Sequence, residues 1–374
     1  MDLSSQDLLR LNVLLAQDCE AIRIDESALA VYGLTRDTEA AVPLHPNCRP
    51  EQYLRRVREF LSSFALGSPG GYPVYLQRWT RMGQTKGSQL AKLLLLGEPE
   101  AVVAVAGAPD LTSELARRVW WCQPTSDNAR RMLSRAAVTQ SGFGAELAHY
   151  LIEHLPFETD PLTVITTIKL VLDTSLLDAP TRQRLWNRGT HRNAYHLGFL
   201  DASPDDLPDP RPGHPGDEMH RTDLEQLSAG GNALAGLLAR VLSSRGQTFL
   251  AVSEEQMRHP LDKFATAHLF EVLQRYFGAA HPFINPCTNV AQAYAAARTA
   301  IEAPKGELKE LLAAVPTLSR EVEAVLVLGQ AREALITPII AQTTATGTLL
   351  RRKLEPVVTP LLAEYAVLRG KEVS

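Results

Sequence analysis

The chain has 374 residues, of which 45% are hydrophobic and 21% charged. That length exceeds the size at which one hydrophobic core stops growing, so two domains are expected, and the composition excludes wholesale disorder and a membrane protein. Its 38 basic and 42 acidic side chains leave a formal charge of −4, too mild to name nucleic acid or an anionic membrane as partner.

Residues 4–19 predict an amphipathic helix, because Leu8, Leu9, Leu11, Val13, Leu14 and Leu15 cluster on one broad face after a serine-rich start. The period then changes to two: Ile22 and Ile24 alternate with Arg23 and Asp25, and residues 29–34 and 40–44 also predict short strands. Residues 1–48 thus form a small α+β element with a hairpin or meander. From Pro50 the helical period returns through Tyr53, Leu54, Val57, Phe60, Leu61 and Phe64. Short apolar segments punctuated by glycine and proline follow to residue 200. Helices this short need neighbours to stack on, so 49–200 is expected to be a helical array, either an α-solenoid or an irregular bundle.

Residues 201–218, DASPDDLPDPRPGHPGDE, hold five prolines, two glycines and six acidic side chains, the composition of a linker or exposed loop. Helical patterns resume at roughly 220–244 and 254–278 and continue to 369, predicting a C-terminal helical bundle over 219–374. Ser253 and Gln256 suggest a capping box, and Thr337-Pro338 a break or kink. The expected fold class is mainly α, with a small β element at the N-terminus.

Chemistry is harder to find. The glycine-rich stretch 67–88, GSPGGYPVYLQRWTRMGQTKGS, meets neither the GxxxxGK[ST] nor the GxGxxG spacing, so no phosphate cradle is predicted. Between Arg49 and Arg135 there are 13 basic and 7 acidic residues, a local excess of +6. Tyr72, Arg78, Trp79, Arg81, Arg117, Arg118 and Arg131 are therefore the candidate partner-binding residues, for RNA or for a protein surface. The alternative is solvated helix faces with i,i+4 pairs to Glu51, Glu59 and Glu114.

His149 and His154, like His191 and His196, are five apart, a spacing that does not converge on a metal, and HExxH is absent. His268 falls on an apolar helix face and reads as a hydrogen-bonded core histidine, and the acidic residues around His220 as an exposed helix start. The cysteines, Cys19, Cys48, Cys122 and Cys287, show no CxxC and no disulfide framework. Cys122 follows Trp120-Trp121 in an apolar context that keeps a thiol inert, whereas Cys48 beside Arg49 is the expected exposed thiol. No catalytic residue, metal site or cofactor is predicted. With Asp2 and Asp7 in place of a basic leader, and no run long enough to span a bilayer, a cytoplasmic location without membrane contact is expected.

The run MDLSSQDLLRLNVLLAQDCEAIRIDESALAVYGLT and the stretch GSPGGYPVYLQRWTRMGQ resemble the DsrS family, soluble proteins encoded with the reverse dissimilatory sulfite reductase system of sulfur-oxidising bacteria. The resemblance implies a cytoplasmic, non-enzymatic accessory or regulatory role in the oxidation of stored sulfur. It further implies an influence on expression of the sulfite reductase proteins after transcription. It transfers no functional residue. The competing expectation is an enzyme or sulfur carrier with Cys48 or Cys122 as thiol and His149 or His268 as base; it requires a thiol and a basic group within about 3 to 4 Å.

Overall fold

The structure, a computed structural model, describes residues 3–36, 38–73 and 87–371. It is mainly helical with one small antiparallel sheet near the N-terminus, as the periodicities require. The chain divides into two compact units, Met1–Pro156 and Phe157–Ser374. No helix among the described residues is long and apolar enough to cross a membrane.

In the first unit α1 (Ser5–Leu15) leads into β1 (Ala21–Asp25), β2 (Ala30–Leu34) and β3 (Glu39–Pro43), an antiparallel meander in the order β1-β2-β3. The register pairs Arg23 with Tyr32 and Ile24 with Val31, then Val31 with Val42. The alternation therefore sends Ile22, Val31 and Val42 inward. There they meet Leu11, Leu14 and Leu15 of α1 and Tyr53, Leu54, Val57 and Leu61 of α2 (Pro50–Leu66) in one cluster of buried side chains. Gly33 is required at the sheet–helix contact, since a Cβ there would lie 2.8 Å from the Cys19 sulfur and 2.9 Å from Leu14.

The helix α2 ends on Gly67 in the left-handed conformation, the usual stop for a helix. Short helices follow, among them α3 (Gly87–Leu93), α4 (Pro99–Ala106), α5 (Ser113–Cys122), α6 (Ser126–Leu133), α7 (Ala136–Thr139) and α8 (Gly142–His154). Side-chain oxygens of Thr112 and Thr125 accept from Leu115 N and Asn128 N, starting α5 and α6.

The second unit opens with α9 (Pro161–Asp173), α10 (Ala179–Arg188) and α11 (Ala194–Ala202). Gly198 lets α11 lie directly on α9, where a Cβ would meet Ile168 at 2.7 Å. The acidic, proline-rich stretch lies inside this unit and is anchored. Asp205 receives two hydrogen bonds from Arg240 at 2.6 and 2.7 Å, Asp209 accepts from the Trp186 indole at 2.7 Å, and Arg211 N donates to Thr248 Oγ1. Its last residues begin α12 (Pro215–Ala229).

The region 220–258 is divided differently from the sequence expectation. Gly230, Gly231 and Asn232 end α12 and start α13 (Ala233–Leu242), with Asn232 capping Ala235 N. Ser243 then caps α14 (Ser244–Arg258). Ser253 is consequently no N-cap but a buried mid-helix residue whose hydroxyl donates to Phe249 O. Pro260 lies in the connection to α15 (Lys263–Tyr276). The remaining α-helices are α16 (Val290–Glu302), α17 (Gly306–Ala314), α18 (Ser319–Leu328), α19 (Glu333–Ile340), which contains Pro338, and α20 (Gly347–Leu368), which packs on α18.

Candidate functional site

The most distinctive exposed chemistry of the first unit gathers around α5. Its buried stripe is Leu115, Ala116 and Val119, which leaves Arg117, Arg118, Trp120 and Trp121 toward the outside. Arg23 leaves β1 on the outer face of the sheet, opposite Tyr32. Its guanidinium carbon lies 4.8 Å from the Tyr32 ring centre and 4.8 Å from that of Trp121, a cation held against two aromatic rings. Glu39 completes the group, accepting from Arg23 at 2.8 Å and from the Trp121 indole at 2.9 Å. Beside it Trp120 meets Tyr150 edge to face at 4.7 Å, and Tyr150 stacks on His154 at 3.9 Å. Both tryptophans and both tyrosines are half-buried.

The candidate residues proposed from sequence divide into two groups. Arg78, Trp79 and Arg81 lie outside the described residues. Tyr72 lies in the helical residues 71–73 after α2, where its N–H donates to Glu98 at 3.0 Å and Gly71 N donates to Ser62 Oγ at 2.8 Å. The helical arginines are engaged with acids. Arg117 lies 3.6 Å from Glu146 with its guanidinium over the Phe143 ring; Arg118 pairs with Glu114 at 2.6 Å and Glu20 at 3.0 Å; Arg131 pairs with Asp127 at 2.9 Å. Arg55 and Arg58 pair likewise with Glu59 and Glu26. A phosphate backbone is held by cations whose charge is uncompensated, whereas these are matched by carboxylates, several of them as the i,i+4 pairs of a solvated helix face.

Two buried carboxylates, one in each unit, are satisfied internally. In the second unit Asp201, with 1% of its side chain exposed, accepts from Lys169 Nζ at 3.0 Å, from His268 Nε2 at 2.7 Å and from Arg275. Burial by itself raises this carboxyl's pKa, but hydrogen bonds from His268 and Lys169 and the nearby positive charges hold it far below the usual carboxylate range. The other His268 nitrogen lies 3.5 Å from Glu271, so both ring nitrogens face carboxylates.

In the first unit Asp7 is fully buried. It accepts from Tyr53 Oη at 2.6 Å and from His45 N at 2.7 Å, tying α1 to the end of β3 and to α2. Neither hub was visible in the sequence, because the partners are far apart along the chain.

Among the described residues no thiol hydrogen-bonds a histidine. Cys122 donates to Ile22 O, and burial pushes its thiol up to about 12, opposed weakly by Arg23. Cys48 is half-buried and accepts from Arg56 at 3.8 Å. No group of three or more histidine, cysteine, aspartate or glutamate side chains is placed to hold a metal among the described residues. A cleft of about 840 Å³ in the second unit is walled by Asp205, Asp217, Arg221 and Arg240, whose charges pair with one another. No family model, curated protein or solved structure matches the chain.

Proposed function

We propose that this chain is a cytoplasmic, non-enzymatic accessory or regulatory protein of dissimilatory sulfur oxidation that acts by binding a protein partner through the α5 surface of its first unit. The observation that carries the binding reading is the Arg23 guanidinium held between Tyr32 and Trp121, with Trp120 and Tyr150 alongside. Tryptophan, tyrosine and arginine in a half-buried setting are the residue types that dominate binding energy at protein interfaces. The sulfur-oxidation context is supported by the resemblance of residues 1–35 and 67–84 to the DsrS family. A regulatory action on expression of the sulfite reductase proteins would follow from capture of a factor that controls their messenger.

The test is affinity purification of the tagged protein from a sulfur-oxidising cell extract, with and without ribonuclease, beside a Trp121→Ala variant. A protein retained after ribonuclease and lost with the variant supports the reading. A partner released by ribonuclease supports RNA instead, and equal retention by the variant removes α5 from the interface.

A second reading, a sulfur carrier, is favoured by one observation: the Arg56 guanidinium donates to the Cys48 sulfur, a setting that stabilises a charged sulfur species. Mass spectrometry of the protein isolated without reductant decides it, by presence or absence of added sulfur on Cys48.

A further inference from the structure

In the second unit α14 and α20 lie antiparallel. Gln247 Nε2 donates to Leu368 O at 2.8 Å, the Tyr365 hydroxyl reaches Ser253 Oγ at 3.1 Å, and Gly347 N donates to Leu261 O at 3.0 Å. Between them runs a groove of about 430 Å³. Its floor is Met257, Leu354 and Val358, all buried, and Leu362, half-buried. The α20 wall extends from Thr348 to Leu362, about 21 Å at about 1.5 Å per residue, so the mean cross-section is about 20 Å². That is a width of about 4–5 Å, room for one methylene chain at van der Waals contact, whereas a helix is about 10–12 Å across.

The ends of the groove differ. Arg351 and Arg352 stand exposed at one end, and neither has a hydrogen-bond or ion-pair partner among the described residues. Arg258 on the opposite wall is held by Glu254 at 2.7 Å, but that carboxylate also receives Arg369 and Lys371, so it is shared among three cations. The acid of the lining is Glu355, one turn along from the arginine pair. Beyond it the α20 wall continues through Val358, Thr359 and Leu362, without charge. The larger cleft of this unit differs, since Arg221 and Arg240 there are matched by Asp217 and Asp205.

We infer that the α14–α20 groove binds a free fatty carboxylate, its head on Arg351 and Arg352 and its alkyl chain along Met257, Leu354 and Val358 to Leu362. Three features select this occupant. The width admits one methylene chain and excludes a helix. The uncompensated arginines call for an anion, and a guanidinium presents the planar fork of donors that a carboxylate fits. Their segregation at one end calls for a ligand with one charged and one apolar end. Arg351 to Leu362 spans about 16 Å, the length of about 12 methylenes at about 1.3 Å each. The site is independent of the partner surface on α5.

Titration calorimetry of the full chain with dodecanoate, kept below its micelle concentration, tests the assignment. A single saturable site is expected. Decanoate should bind roughly fourfold more weakly, because each methylene half-covered by the groove contributes about twofold. Arg351→Glu with Arg352→Glu should weaken dodecanoate binding by roughly tenfold or more, and Glu355→Gln should strengthen it about twofold. Thr359→Trp fills the apolar end and should abolish binding. The side chains of Arg351, Arg352 and Thr359 are exposed, so the circular dichroism spectrum of each variant should match that of the wild type. Dodecyltrimethylammonium should not bind, and vesicles of anionic phospholipid should leave the chain in solution. Absence of dodecanoate binding, equal binding of the cationic amphiphile, or indifference to both the arginine and the Thr359 variants overturns the inference. Sedimentation with the vesicles that the arginine variant abolishes would make this end of α20 a membrane contact and overturn it equally.

Discussion

The carboxylate of Glu39 and the indole of Trp121, 82 residues apart in sequence, hydrogen-bond at 2.9 Å and so tie the outer face of the sheet to the last turn of α5. Because Arg23 and Glu39 are each 39% exposed, their ion pair is partly screened by water. Glu39→Gln retains an acceptor for the indole, so a stability loss below about 1 kcal/mol is expected. Trp121→Ala removes the ring against Arg23 and should cost about 1–2 kcal/mol while abolishing partner capture. Urea unfolding beside a pull-down separates the two effects. Loss of capture in Glu39→Gln equal to that in Trp121→Ala would move the weight from the ring to the charge.

The second unit rests on Asp201, whose partners Lys169, His268 and Arg275 are 32, 67 and 74 residues away. Asp201→Ala removes the shared acceptor of three basic groups, of which Lys169 and Arg275 stay partly exposed, and should cost about 1–3 kcal/mol. Because the folded-state pKa is depressed, the stabilisation is complete above the unfolded value of 3.8 and falls as pH drops through the folded one. Thermal melting of wild type and Asp201→Ala between neutral and strongly acid pH should show the gap narrowing only at the acid end. A gap that closes already near neutrality would mean that the carboxylate does not organise the three helices.

These long separations explain what the sequence did and did not reveal. The sheet was legible because Ile22 and Ile24 alternate with Arg23 and Asp25, a local pattern that dictates which face is buried. The helix α2 was legible through Tyr53, Leu54, Val57 and Leu61, all buried, although Phe64 on the same pattern is 55% exposed. Ser253 misled because Ser-x-x-Gln describes a cap only at a chain reversal; here the Tyr365 hydroxyl, 112 residues on, reaches the serine at 3.1 Å within a continuous helix. The local basic excess around α5 was countable. Its neutralisation by Glu114 is the i,i+4 pair that spacing alone suggests, whereas that by Glu20 and Glu146 was not legible, since they arrive from other elements.

His214 predicts an acid sensitivity of a different kind. As N-cap of α12 its Nδ1 accepts from Gly216 N at 3.0 Å, which requires that nitrogen to be unprotonated. Burial depresses its pKa below 6.5, against the pull of Glu321 and Asp217, and burial also depresses His196 and His281. A histidine depressed in the folded state leaves the unfolded chain with more bound protons. Stability is therefore full above the unfolded value of 6.5 and declines as pH falls below it. His214→Asn keeps a capping acceptor that does not titrate, so its melting temperature should fall less steeply between neutral and mildly acid pH. The capping contribution is about 1 kcal/mol, within reach of calorimetry. Identical slopes for the two proteins would remove His214 from the acid response.

The four thiols should react in a set order, because three of them are held protonated by burial. Burial raises Cys19, with Asp18 adding to the effect, and raises Cys287 despite Arg332; Cys122 reaches about 12. At neutral pH these three hold almost no thiolate, and the thiolate is the nucleophile. Cys48 is half-buried in the loop before α2, with the Arg56 guanidinium directed at its sulfur. Alkylation of the native protein followed by peptide mass mapping should therefore label Cys48 first and leave Cys122 unmodified until denaturant is added. Arg56→Met should slow labelling of Cys48 without altering the other three, since only that donor is lost. If Cys122 labels as fast as Cys48, the α5–β1 contact opens on the time scale of the reaction, and the surface proposed to bind the partner is not preorganised.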